Sequence, residues 1–303
     1  MIEVMHNFIV TEENQGLRLD KFLSTQIDDL SRTMIQTLIE EDDILVNGQT
    51  QKPSYKLKID DIIEVFEYTL PSKEIIPVNI PLDIVYEDDD VLVINKPSGM
   101  VVHPAPGHYQ DTLVNALMFH ISSLSQGSDA ARPGIVHRID KDTSGLLMVA
   151  KNNYAHERLA KELQAKKTKR EYVAMVSGVI KNKSGLIDAP IGRNQNNRLK
   201  MNVVASGKKA ITHFEVIEHF QDATLLKCRL ETGRTHQIRV HMSYIQHPLV
   251  NDELYGKKLD DFGQYLHAKT LGFTHPRTNQ WMEFDSQLPK EFIEYINQLR
   301  DSN

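Results

Sequence analysis

Four short apolar runs set the architecture of most of this chain: VLVIN at 91–95, LLMVA at 146–150, EYVAMV at 171–176 and ATLLKCRLE at 223–231. Each has strand length, and alternation or continuous apolarity marks it as a strand. Helical spacing of apolar residues falls between them, around 111–120, 153–165, 234–246 and 289–299. Strands and helices mix without strict βαβ alternation, which predicts an α+β domain on a largely antiparallel sheet. No apolar run approaches the roughly 20 residues of a membrane span. The start, MIEVMHNFIVTEENQ, has no basic stretch followed by an apolar one, so no signal peptide is expected. A cytoplasmic protein is the expectation. The single cysteine, Cys228, excludes an intramolecular disulfide framework and a cysteine-built zinc site, and its alternating strand places it in the core.

The front of the chain has a different texture. Leu17, Leu19, Phe22 and Leu23 have helical spacing, and Met34, Ile35, Leu38 and Ile39 repeat it behind Ser31, an expected N-cap. Asn47-Gly48 then marks a tight turn after a short strand, and KIDDIIEVFEY reads as an alternating strand. Residues 1–70 are thus expected to form a small α/β module. Pro71, Pro77 and Pro81 mark residues 71–80 as a semi-extended linker, and residues 81–303 form the larger domain.

The net charge of −6 argues against a nucleic-acid partner only until it is divided. Residues 1–70 carry 6 Lys/Arg and 14 Asp/Glu, whereas residues 158–209 carry 13 Lys/Arg against Glu162, Glu171 and Asp188. A positive groove is expected from that basic stretch.

The densest polar cluster is GIVHRIDKDTSGLLMVAK at 134–151. His137, Arg138, Asp140, Lys141, Asp142, Thr143 and Ser144 stand between two apolar segments, an arrangement that suits a loop at a cleft. Asp140 can serve there as nucleophile or base beside Arg138 and Lys141. A capped turn, with Asp142, Thr143 and Ser144 satisfying backbone donors, explains the same residues. In LETGRTHQIRVHM at 230–242, Arg234, His236, Arg239 and His241 crowd together. The spacing of five between the histidines does not suit a metal site; arginines on a short buried element pair with carboxylates or phosphates, and a solvated basic face remains open. AKKTKREYVAMVSG at 165–178 sets Lys166, Lys167, Lys169 and Arg170 before Tyr172, which suits a phosphate backbone with a stacked base, or a plain charged surface. In VLVINKPSGMVVHPAPGH at 91–108, proline and glycine spacing supports a tight hairpin, and His103 and His108 stand as loop histidines or ligands.

Together these motifs resemble the RluA-type pseudouridine synthases, most closely members acting on large-subunit ribosomal RNA. HRIDKDTSG matches the family pattern with Ile139 in place of its leucine, and NKPSGMVVHP, KREY and LETGRTHQIRVHM look like three further family motifs in the family order, so the resemblance spans residues 81–300. The front module is similar to the alpha-L RNA-binding domain through Arg18-Leu19-Asp20-Lys21-Phe22-Leu23, Ser31-Arg32 and Val46-Asn47-Gly48. It departs at Asp60, where the module commonly has glycine before Asp61.

The resemblance implies an isomerase that breaks the N-glycosidic bond of uridine in RNA, turns the uracil and rejoins it through carbon. No metal or redox cofactor is expected. It implies Asp140 as the essential aspartate, Tyr172 as the residue that stacks on uracil and assists proton removal, and Arg239 as the partner that keeps the aspartate ionised, with Arg234 second for that role. Arg138 is implied to fill the space of a flipped nucleotide. His137, Arg234 and Lys169 complete the expected substrate contacts. The expected partner is ribosomal RNA or an assembling ribosomal subunit, met by a monomer. Two other readings are a non-catalytic RNA-binding or ribosome-assembly protein, and a glycoside hydrolase using Asp140 and Asp142 on one face of a strand. The second lacks a sugar platform, with aromatics at 7% and one tryptophan, Trp281.

Overall fold

A computed structural model describes residues 4–27, 30, 32–66, 75–105, 107–126, 132–197 and 199–302. The chain divides into two units, Met1–Ser72 and Lys73–Asn303.

The first unit runs β1 (Val4–Ile9), α1 (Leu19–Gln26), α2 (Arg32–Glu40), β2 (Ile44–Val46) and β3 (Ile62–Phe66), with a three-stranded antiparallel sheet in the order β1-β3-β2. The helical spacings seen in the sequence bury Leu19, Phe22 and Leu23 of α1 against Ile35, Leu38 and Ile39 of α2, over Ile63 and Val65 of β3. Each such side chain contributes about 1.5–3 kcal/mol on leaving water. Asn47 and Gly48 both take positive φ, 53° and 70°, as the expected turn requires. Asp60 sits at φ 66°, a left-handed position that glycine adopts freely and aspartate tolerates better than most residues. Next to it, Asp61 accepts hydrogen bonds from Asn47 Nδ2 (2.8 Å), Tyr55 OH (3.1 Å) and the Lys58 amide (2.8 Å). Asp20 is fully buried and accepts from Arg18, Arg32 and Gln36. β1 is an element that the apolar pattern of the front module did not announce. The expected N-cap, Ser31, lies outside the described residues.

The second unit contains β4 (Ile84–Glu87), β5 (Val91–Lys96), α3 (Leu113–His120), β6 (Ser144–Ala150), α4 (Asn153–Gln164) and β7 (Lys169–Ser177). It continues through β8 (Ser184–Asp188), β9 (Ile191–Arg193), β10 (Met201–Val203), β11 (Ile211–His219) and β12 (Ala223–Leu230). It ends with α5 (Gln237–Tyr244), β13 (Leu266–Thr274), β14 (Trp281–Asp285) and α6 (Lys290–Asp301). Nine strands form one mixed sheet in the order β4-β5-β6-β13-β7-β12-β11-β8, with β14 also paired to β13, while β9 and β10 form a separate ribbon. Its pairings are antiparallel except β6 with β13, which is parallel.

The sheet is covered on both faces. Leu92, Ile94, Leu147 and Val149 belong with Leu113 and Leu117 of α3 to one core cluster, which continues to Ile238 and Met242 of α5. Their strand neighbours Val91, Val93, Leu146 and Met148 pack on the opposite side with Ala155 and Leu159 of α4. Two buried faces explain why these strands read as continuous apolar runs. Cys228 is in this core, its thiol pushed up to about 12 by burial. Part of the stretch expected to be a linker is bonded to this unit: the Val78 amide donates to Asn115 O, and Asn115 Nδ2 to Ile76 O. Residues 71–74 of that stretch lie outside the described residues. Among the described residues no helix is long and apolar enough to cross a membrane.

Candidate active site

The polar run ahead of β6 is a loop, as its composition implies, and its backbone is held from behind. Lys96, fully buried at the end of β5, donates from Nζ to Pro97 O (2.7 Å), Met100 O (2.8 Å) and Lys141 O (2.8 Å). Three carbonyls meet the three N–H groups of an ammonium. Burial nevertheless pulls the Lys96 amine down to about 7, against the opposing pull of Asp142 and Asp140. Ser98 Oγ lies 3.0 Å from Asp142 O, and Gln264 Nε2 donates to Thr143 Oγ1. Gly145 then takes φ 110°, and a Cβ there would stand 2.3 Å from Ala268 O of β13. Glycine is required for β6 and β13 to pair.

The second arm of the site comes from the segment between β12 and α5. Gln237 is buried with its amide fully engaged. Its Oε1 accepts from Thr232 Oγ1 and the Arg234 amide, and its Nε2 donates to Ile211 O and Thr212 Oγ1. His236 precedes α5 in a left-handed conformation, φ 56°. α5 starts at Gln237, inside the 234–246 stretch where helical spacing is seen, and it buries Arg239.

Arg239 Nη1 donates to Asp140 Oδ2 at 3.2 Å, while Nε and Nη2 hold the two oxygens of Asp252 at 2.7 and 2.9 Å. The Asp252 side chain is wholly buried. Burial opposes the Arg239 charge, but the Asp252 and Asp140 carboxylates outweigh it and hold the guanidinium above its ordinary value. Its other side lies over the Tyr255 ring, 5.1 Å from the centroid. Asp140, Arg239, Tyr172, Arg138, Arg170 and His236 line one cavity of about 150 Å³. Tyr172 is buried on β7, and burial raises its phenol, with Arg170 opposing and Asp140 adding to the rise. Arg138 is exposed and lies 3.0 Å from His103 Nε2.

A carboxylate, an aromatic ring and a clamped guanidinium therefore face one recess. The RNA pseudouridylate synthase family model matches residues 90–244, and the S4 domain model matches residues 17–63. An uncharacterized RNA pseudouridine synthase of Bacillus subtilis (strain 168) is 53% identical over 295 residues, covering 96% of each chain. The ribosomal large subunit pseudouridine synthase D of Zymomonas mobilis is 44% identical and covers 97% of each. Among solved structures, human RNA pseudouridylate synthase domain containing 1 matches with a TM-score of 0.57 at 26% identity, over 73% of this chain and 95% of that one. The chain belongs to the RNA pseudouridylate synthase family. It is an isomerase that acts on RNA, carrying an S4 domain at residues 17–63.

Within this synthase, Asp140, Tyr172, Arg239 and Arg138 come together, while other expected contacts stand elsewhere. Lys169 is not at the cavity: Tyr172 is three residues away on a strand, hence on the other face, and Lys169 Nζ pairs with Glu283 of β14 at 2.6 Å. His137 Nε2 accepts from the Met148 amide, and burial, with Arg170 adding, pulls its imidazole down to about 3. It serves as a neutral anchor of the loop. Arg234 lines the cavity but donates from Nε to Lys209 O, so Arg239 alone of the two arginines pairs with Asp140. Asp142 does not line the cavity. The chain turns between Asp140 and Thr143, so strand alternation does not put the two carboxylates on one face. His241 is structural, with Nδ1 at 2.9 Å from Thr212 Oγ1 and Nε2 at 2.9 Å from Ala189 O.

The basic stretch at 158–209 does not form one continuous groove either. It runs through α4, both faces of β7, β8 and the β9–β10 ribbon, and Lys166 and Lys169 pair with Glu231 and Glu283. Instead, a second cavity of about 470 Å³ beside the first collects Arg132, Arg138, Lys166, Arg170 and Arg234 from four segments. Lys96, Asp252 and Tyr255 are parts of the site that sequence reasoning missed. For Lys96 the signal was present: a lysine closing an apolar strand, followed by proline, has to bury or turn away its charge.

Proposed function

We propose that this synthase converts uridines of large-subunit ribosomal RNA to pseudouridine, with Asp140 as the essential carboxylate. The RNA class follows from the Zymomonas mobilis relative named for the large ribosomal subunit, which matches over both units of the chain. The observation that carries the Asp140 assignment is its position in the shared recess, facing Tyr172, with its orientation set by an arginine that Asp252 immobilises.

In the proposed reaction a flipped uridine enters the recess, and Arg138, exposed at its rim, takes the vacated place in the stack. The cost of flipping, about a few kcal/mol, is lowest in loops. Asp140 acts at the ribose or the base as the N-glycosidic bond breaks. The uracil turns, its C5 bonds to the ribose carbon released by N1, and C5 gives up a proton while N1 takes one up, so no atom is gained or lost overall. Burial keeps the Tyr172 phenol protonated through neutral pH, which favours stacking on the uracil over proton abstraction as its role in the resting enzyme.

The test is incubation of transcribed large-subunit ribosomal RNA with the wild type and Asp140→Asn, with pseudouridine mapped by chemical adduct and primer extension. The wild type is expected to modify discrete sites and the variant none. Modification by Asp140→Asn would sink the catalytic assignment. A wild type that leaves this RNA unmodified would sink the substrate assignment.

A further inference from the structure

Arg170 is a buried charge that the protein itself does not neutralise. On β7, Lys169 and Glu171 face one way, while Arg170 and Tyr172 face the two cavities. Arg170 is only 8% exposed, and its Nε has no hydrogen-bond partner. Among the described residues no carboxylate pairs with it. Every other buried arginine or lysine described above has its partners: Arg239 holds two aspartates and Lys96 three carbonyls. An unpaired buried guanidinium is costly, so its retention here needs a partner from outside.

We infer that Arg170 is an anion site, and that its guanidinium takes a phosphodiester of the bound RNA strand beside the uridine held at Asp140.

Three observations support this assignment. Arg170 lines both the 150 Å³ recess and the 470 Å³ cavity, so a strand lying in the larger cavity with its base in the recess would meet it. The surroundings are cationic and already shaped: a Cβ at Gly233 would stand 2.7 Å from Arg170 Nη1, so the glycine leaves the guanidinium its room. The one carboxylate in the wall of the larger cavity, Glu231, is taken by His213 at 2.7 Å and Lys166 at 3.5 Å. A planar fork of donors matches two phosphate oxygens at once, which a lysine cannot reproduce.

The inference rests on the reading that the recess at Asp140 receives the uridine. Its test uses the full chain as wild type, Arg170→Met and Arg170→Lys, titrated with transcribed large-subunit ribosomal RNA at several salt concentrations. Arg170→Met is expected to weaken binding about tenfold and to flatten the slope of log affinity against log salt by about 0.7–0.9, the loss of one phosphate contact. Arg170→Lys should recover part of the affinity. Without RNA, Arg170→Met should melt no lower than the wild type, because an unpaired buried charge has been removed. Unchanged affinity and salt slope in Arg170→Met would overturn the inference, as would a fall of several degrees in its melting temperature, which would make Arg170 a structural residue. Pseudouridine is scored separately in the same samples. Wild-type protein that binds this RNA without isomerising it would count against the functional reading alone, while the affinity comparison would still decide the role of Arg170.

Discussion

Asp252 accepts hydrogen bonds from both Nε and Nη2 of Arg239, at 2.7 and 2.9 Å, and this two-point grip leaves Nη1 aimed at Asp140. A single contact would let the guanidinium rotate, and two fix its plane. Asp252 also accepts from the Leu254 and Tyr255 amides, so it is itself held rigid.

Asp252→Ala should therefore remove the orientation of Arg239 without touching the recess. Loss of one member of a buried ion pair costs about 3–5 kcal/mol of stability. Misplacement of Arg239 by an ångström should slow pseudouridine formation about a hundredfold. Thermal unfolding and a modification time course measure both, and a wild-type rate in this variant would refute the positioning role.

Lys96 supplies a pH signature. Between pH about 7 and about 10.5, the unfolded chain keeps a proton on this lysine that the folded one has released. Folding stability contributed by this group should rise with pH across that window and be flat below it. Lys96→Met lacks the slope, and it also leaves Lys141 O without its donor, so the loop should slacken and modification fall. Urea unfolding at pH 7, 8 and 9 for both proteins tests the point. Parallel pH dependences would show that burial does not perturb this amine.

Gly145→Ala meets Ala268 O at 2.3 Å from a backbone at φ 110°. Space and conformation both forbid it, and the expected loss is about 3 kcal/mol or more. For a unit of this size that is a drop of about 6–12 °C in melting temperature. Calorimetry giving a wild-type value would mean that β6 and β13 separate at little cost.

In the first unit, Arg18, ahead of Gln36 and Arg32, holds the Asp20 carboxyl well below the usual carboxylate range despite its burial. The stability this gives is present above the ordinary aspartate value near 4 and is lost as pH falls through the folded value. Asp20→Asn should cost about 2 kcal/mol at pH 7 and should flatten the acid dependence. Hydrogen exchange of the α1 and α2 amides in the full chain would show it. Equal protection in both proteins at pH 7 would contradict the expectation.

Much of this was legible in the residues. The apolar runs at 91–95, 146–150, 171–176 and 223–231 became β5, β6, β7 and β12 within two residues at each end: burial on both faces leaves β5 and β6 no room for polar interruption, while β12 alternates buried residues with exposed Lys227 and Arg229. β13 was not apparent: LHAKTLGFT carries His267, Lys269 and Thr270 inside a strand, each with a partner from β6, β14 or the segment after β14. Asp140 and Arg239 were visible as members of dense motifs. Asp252 was not, because its partner Arg239 lies 13 residues away, and the role of Lys96 was missed although its place at the end of an apolar strand signalled a buried charge, because its partners are backbone carbonyls. Lys169 misled for the opposite reason. It sits beside Arg170 in a basic run, yet the two-residue period of a strand sends neighbours to opposite faces.

The single parallel step between β6 and β13 has a consequence in time. Strands that point the same way begin at the same edge, so the segments leading into them, one carrying Asp140 and the other Asp252, arrive at one place from distant parts of the chain. At ordinary elongation rates, roughly five to twenty seconds of synthesis separate Asp140 from Asp252. A nascent chain thus shows its aspartate long before it holds the groups that aim it, and the recess closes only once Asp252 has been made.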